Sequence, residues 1–131
     1  MTPFGEKMRK LRSDRNMTLK QMAEGIGVSS AYLSALEHGK RGRPSWYLIQ
    51  RIIAYFNIIW DEAEDVTRLA RISHPRVTID TSGLSATATE LANRLADEIA
   101  ALDQKTLRDM LNVLPGGGDR PRPRPESRTQ D

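Results

Sequence analysis

TLKQMAEGIGVSSAYLSALEHGKRGRP, residues 18–44, is the stretch whose reading decides the fold. Thr18 is a helix N-cap, and Leu19, Met22, Ala23 and Ile26 then fall on one helical face until Gly27 stops the run. Ser29 or Ser30 caps a second short helix that turns Leu33 and Leu36 inward and closes at His38-Gly39. Two such helices joined by a tight turn, with Val28, Leu33 and Leu36 holding the second against the first, make a helix-turn-helix. Ala23 suits the crossing, because a small side chain lets the helices approach closely. In this geometry the second helix projects from the body and can enter a DNA major groove about 12 Å wide, while the first crosses the backbone.

The flanks supply the rest of an all-α fold. Upstream, Thr2 and Pro3 mark a helix start, and Phe4, Met8 and Leu11 form an apolar stripe that runs to about Asp14. Downstream, Ser45 caps a helix with Leu48, Ile49, Ile52, Ile53 and Phe56 on its apolar face. Trp60, Ala63, Val66, Leu69 and Ala70 mark a fifth helix, which ends before His74-Pro75 because the residue before proline avoids helical geometry. Val77 to Gly83 reads as an extended connector with at most a short strand. Beyond it, Thr87 and Glu90 match a capping box, and Leu84, Ala88, Leu91, Leu95, Ile99 and Leu102 define an amphipathic helix. Asp103 caps a shorter one with Leu107, Met110, Leu111 and Leu114 on one face. The expected organisation is a five-helix helix-turn-helix domain over 1–73, a connector over 74–83, a helical hairpin-like segment over 84–114 and a disordered Pro/Arg-rich tail over 115–131.

Charge is divided unevenly among these parts. Residues 1–60 hold ten Lys/Arg against four Asp/Glu, whereas residues 61–114 hold six against ten. A basic first half joined to an acidic second half fits a polyanion-binding domain attached to a segment that does not touch the polyanion. There are no cysteines, so disulfides and thiolate metal sites are out of reach. The charged N-terminal stretch does not read as a signal peptide, and no apolar run is long enough to span a bilayer. A cytoplasmic protein without a membrane partner is expected. His38 and His74 lack ligand-spaced partners, Asp61-Glu62-x-Glu64-Asp65 reads as the acidic first turn of the fifth helix, and no serine has a basic partner in a catalytic pattern. No metal, cofactor or catalytic residue is expected, and the chain does not read as an enzyme.

The motif elements Leu19-x-x-Met22-Ala23, Gly27-Val28-Ser29, Tyr32-Leu33-Ser34-x-Leu36-Glu37-x-Gly39-Lys40-Arg41, Pro44 and Phe56-Asn57-Ile58 resemble the Xre/Cro phage-repressor family over roughly Phe4 to Trp60. The resemblance implies a homodimer on a palindromic operator in double-stranded DNA, with the third helix in the major groove. It implies base reading by Ser30, Ala31, Tyr32, Ser34 and Ala35, positions at which phage repressors often carry longer polar side chains. Here thymine-methyl packing by alanine and hydroxyl contacts by serine replace bidentate amide readout, so DNA shape and the basic loop carry more of the recognition. Lys40, Arg41 and Arg43 read as phosphate anchors, and Lys20 and Gln21 as a clamp at the positive end of the second helix. Lys7, Arg9, Lys10 and Arg12 read equally as flanking phosphate contacts or as solvated face. Glu37 reads as structural, capping or pairing within the turn. Leu91, Leu95, Ile99 and Leu102 are the expected dimerisation residues. The expected function is a sequence-specific DNA-binding transcriptional regulator, a repressor rather than an activator; the alternative is an antitoxin-like protein-interaction module in which DNA binding is secondary.

Overall fold

The computed structural model describes residues 1–116, and within them the chain is helical with no strand. In order these elements are α1 (Pro3–Asp14), α2 (Leu19–Ile26), α3 (Ser30–Glu37), α4 (Trp46–Phe56), α5 (Trp60–Arg71), α6 (Ala86–Glu98), a 3₁₀ turn (Ile99–Ala101) and α7 (Gln104–Val113). The Val77–Gly83 segment is an extended connector and pairs with nothing as a strand. The tail expected to be disordered lies, from residue 117 on, outside the described residues. None of the described helices is long and apolar enough to cross a membrane.

Local hydrogen bonds account for most helix starts. Thr2, Ser29 and Ser45 each accept the amide hydrogen three residues ahead, satisfying donors that no helical carbonyl can reach. At α2 the arrangement is reciprocal: Thr18 Oγ1 accepts from the Gln21 amide at 3.0 Å, and Gln21 Oε1 accepts from the Thr18 amide at 2.8 Å. Gly27 ends α2 with φ +81°, the left-handed conformation that lets its amide bond back to Ala23 and turns the chain into α3.

The residues Met1–Val77 form one compact unit. Its core holds Phe4, Met8 and Leu11 of α1, Met22, Ala23 and Ile26 of α2, and Leu33 and Leu36 of α3, closed by Leu48, Ile49, Ile52 and Phe56 of α4, Ile58, and Val66 and Ala70 of α5. Two polar ties lock the ends. Glu37, 2% exposed at the end of α3, receives Arg12 of α1 through two guanidinium hydrogen bonds, one of them Nη2 to Oε1 at 3.0 Å. A buried charge is tolerated only when its partner geometry is good, and this pair is bidentate. The Thr2 amide also donates to the Glu37 carbonyl at 3.0 Å, and a Cβ at Gly5 would overlap that same carbonyl, so glycine permits α1 to start against the end of α3. Beside it, at the start of α1, buried Ser73 accepts from the Phe4 amide at 2.8 Å and donates to the Leu69 carbonyl.

Two sequence expectations are corrected in this unit. Arg12 is neither a phosphate contact nor solvated face; the α1 periodicity that buries Leu11 and Met8 carries Arg12 inward beside Met22, where Glu37 meets it. Lys7 is also withdrawn from solvent, its Nζ lying 3.7 Å from carboxylate oxygens of Glu62 and Asp65 on α5. The acidic start of α5 therefore serves a tertiary contact in addition to its favourable position at a helix N-terminus.

The described residues from 78 to 116 belong to a second unit. A turn in which the Leu84 amide reaches the Thr81 carbonyl brings the chain into α6 two residues earlier than expected. Ser85, not Thr87, is the N-cap, its Oγ accepting from the Ala88 amide at 3.1 Å. The helix also does not run unbroken to Leu102; it tightens into the 3₁₀ turn at Ile99 before Asp103 caps α7. Along α6, Arg94 bridges Glu98 at 2.9 Å and Glu90 at 3.8 Å, and the Glu98 hydrogen bond raises the Arg94 pKa above its ordinary value.

Candidate nucleic-acid interface

The α3 helix is eight residues long, and its periodicity divides it sharply. Leu33, Leu36 and Glu37 are buried; Ala31 and Ala35 stand on the opposite side, with Ser30 and Ser34 flanking them, each pair four residues apart along the helix. Ser30 and Ala31 are exposed and Ser34 and Ala35 half-buried, so the N-terminal end of α3 stands furthest out. Tyr32 is half-buried, packed against the core edge on one side and open on the other. The cap at Ser29 and the αL turn at Gly27 fix the angle at which this face is presented.

The loop that follows is held at its root and free at its tip. The Lys40 amide bonds the Ala35 carbonyl at 2.8 Å, the His38 ring Nδ1 lies 2.8 Å from the Ser34 carbonyl, and Pro44 is buried. Between these points Lys40, Arg41 and Arg43 are exposed, and among the described residues none of the three forms an ion pair. The Arg41 guanidinium sits 6.0 Å from the Tyr32 ring centroid, which draws the loop cation back over the outward end of α3. At the start of α2, Lys20 and Gln21 are both exposed. Gln21 spends its Oε1 on the helix cap, so its Nε2 is the end that faces outward to donate.

The structure thus brings Ser30, Ala31, Tyr32, Ser34 and Ala35 onto one helix and sets Arg41 over Tyr32. Residues 3–65 match the family model described as a helix-turn-helix domain. That stretch of the first unit is a helix-turn-helix domain. The chain is 39% identical over 61 residues to the uncharacterized HTH-type transcriptional regulator RghRB of Bacillus subtilis, an alignment covering 47% of this chain and 44% of that one. The HTH-type transcriptional repressor RghR of the same organism is also 39% identical over 61 residues, covering 47% and 45% of the two chains. The HTH-type transcriptional activator BcrR of Enterococcus faecalis is 37% identical over 59 residues, covering 45% of this chain and 28% of its own. The chain spans less than half the length of each of these relatives.

The expected dimerisation residues belong to the second unit. Leu91 and Ile99 are 55% and 52% exposed, while Leu95 and Leu102 are half-buried along an open groove that Met110 of α7 helps to line. No residue of α6 or α7 is buried.

What sequence reasoning missed is the exposed aromatic pair in the first turn of α4. Trp46 and Tyr47 are 64% and 76% exposed and meet edge to face at 5.3 Å. The available signal was the placement of two aromatics directly after the basic loop and off the Leu48, Ile49, Ile52 stripe.

Proposed function

We propose that the protein is a transcriptional regulator that binds double-stranded DNA in a sequence-specific way through α3 and the loop after it. The observation that carries this reading is the combination of an outward α3 face of small side chains with three adjoining cations that have no carboxylate partner among the described residues. A small-residue face admits α3 deep into a major groove, where Ala31 and Ala35 pack on thymine methyls and Ser30 and Ser34 offer hydroxyls. Lys40, Arg41 and Arg43 then neutralise phosphates, and Lys20 with the outward amide of Gln21 holds the backbone where α2 begins.

The same reading makes it a homodimer on a palindromic operator in the cytoplasm. Support comes from the second unit, whose helices keep Leu91, Ile99, Leu111 and Leu114 in solvent. Self-pairing through Leu91, Leu95, Ile99 and Leu102 removes that apolar surface from water and supplies the fixed spacing a two-fold site requires. Repression by occlusion is the simpler output, since it asks only for occupancy of the promoter; named relatives include both a repressor and an activator. The chain is read as a non-enzymatic regulator, in keeping with those relatives.

The test is selection of duplexes from a random library followed by gel-shift titration of variants. Arg41→Ala and Arg43→Ala weaken binding to every sequence and flatten the salt dependence. Tyr32→Ala and Ser30→Ala cost about 1 to 3 kcal/mol on the selected sequence and little on others. If both classes leave the titration unchanged, the assignment is wrong. Stable co-purification with a different protein and a monomeric mass alone would favour the antitoxin-like reading, which the uncovered face of α6 and α7 also accommodates.

A further inference from the structure

The outward face of α4 carries side chains that neither the core nor the α3 surface uses. An open groove between α3 and α4 is lined by Val28, Tyr32, Ser45, Tyr47 and Arg51, among others. Tyr32 borders both this groove and the outward side of α3, so the two surfaces are continuous. Tyr47 and Arg51 stand one helical turn apart on α4 and therefore side by side. Burial does not explain them: Leu48, Ile49 and Ile52 supply the core stripe, and both Tyr47 and Arg51 are exposed.

Arg51 is anchored but not neutralised. Its Nη1 donates to the Ile26 carbonyl at 3.4 Å, which aims the guanidinium along the end of α2 toward the turn that launches α3. Among the described residues it has no ion pair; Glu24 lines an adjoining groove with it and does not reach ion-pair distance. A phenol donor next to an anchored guanidinium without an ion pair among the described residues, on the edge of a surface whose other cations include Lys20, Lys40, Arg41 and Arg43, matches an anionic oxygen cluster. A protein partner of neutral apolar character would leave that guanidinium desolvated without compensation.

We propose that Tyr47 and Arg51 form a phosphate contact on the α4 side of the recognition helix, so that the DNA interface extends from α3 onto α4. This rests on the DNA-binding reading above. The Arg51 guanidinium meets the phosphate oxygens, the Tyr47 hydroxyl donates a neutral hydrogen bond to the same group, and neither reads bases. The contact fixes register on the duplex and contributes equally on all sequences.

The experiment is a salt titration of the full-length protein on a short mixed-sequence duplex, followed by fluorescence anisotropy. Each neutralised phosphate contributes about 0.9 to the slope, so the affinity deficit of Arg51→Ala shrinks about 3.5-fold between about 50 and 200 mM salt. Arg51→Lys keeps the charge and the wild-type slope, and thermal unfolding of both variants separates loss of the Ile26 contact from loss of the phosphate. Tyr47→Phe weakens binding without changing the slope, because the hydroxyl is uncharged. An unchanged slope for Arg51→Ala alongside a flattened slope for Arg41→Ala overturns the α4 contact and leaves the DNA reading standing. A wild-type protein that binds no duplex at low salt removes both. If Arg51→Ala leaves the slope intact and alters the solution mass, the face belongs to a protein contact and the inference is wrong.

Discussion

The two units of this chain are built from similar amphipathic helices and end in opposite states. In Met1–Val77 the apolar stripes of all five helices converge, and side chains such as Phe4, Met8, Met22, Leu33 and Ile52 lose all or nearly all contact with solvent. From Thr78 on, α6 and α7 are capped and laced by neighbouring charges, as with Arg94 between Glu90 and Glu98, yet bury nothing. The difference is one of closure: five helices can surround a core, whereas two short ones leave an open groove. Isolated helices of this length are marginal in water, so the second unit needs a covering surface in a way the first does not.

Substitutions should separate the two units by magnitude. The largest effect is expected for Glu37→Ala, which strands the buried Arg12 guanidinium and costs about 3 to 5 kcal/mol in urea unfolding. Leu33→Ala follows at about 2 to 5 kcal/mol, because the cavity opens where α3 meets the core. In contrast, Leu95→Ala should leave the unfolding of the first unit within about 0.5 kcal/mol of wild type while weakening self-association in sedimentation equilibrium. An equal loss of stability from Leu33→Ala and Leu95→Ala would erase the contrast. Thr18→Ala, which removes the α2 cap without touching the core, should cost about 1 kcal/mol.

The smallest effect concerns Asp103, the α7 cap. Its hydrogen bond from Thr106 lowers its pKa below the ordinary 3.8. A lowered carboxylate stabilises the fold at pH values above its ordinary pKa, and that contribution is lost as pH falls through the folded value. Far-UV circular dichroism should therefore show a partial loss of helix in acid that Asp103→Ala already displays at neutral pH. The caps of the first unit at Thr2, Thr18, Ser29 and Ser45 are neutral hydroxyls and add no titration of this kind.

How much of this was legible in the sequence follows from the range of the interactions involved. Caps at Thr2, Thr18, Ser45 and Asp103, and the stop at Gly27, depend on residues within one turn, and the helices start where those residues stand. The stripes that fill the core are likewise local patterns. The Arg12–Glu37 pair joins positions 25 apart, and Lys7 meets Glu62 across the length of the domain, so a basic run on α1 could not be sorted into buried and exposed members beforehand. At α6 a local rule had two answers, since Ser85 and Thr87 both suit an N-cap; the Thr81–Leu84 turn decided for Ser85. In the candidate interface, the outward α3 positions could be read from periodicity, but the stacking of Arg41 toward Tyr32 and the anchoring of Arg51 on the Ile26 carbonyl are products of packing.

The claim that the first unit reads DNA while the second pairs subunits is tested most directly by comparing the full chain with residues 1–77 on a duplex obtained by selection. Anisotropy titrations should show that 1–77 still binds with a steep salt dependence and prefers the selected sequence, but more weakly than the full chain and without its preference for two half-sites over one. A 1–77 fragment that folds yet has no affinity for duplex DNA would contradict the account.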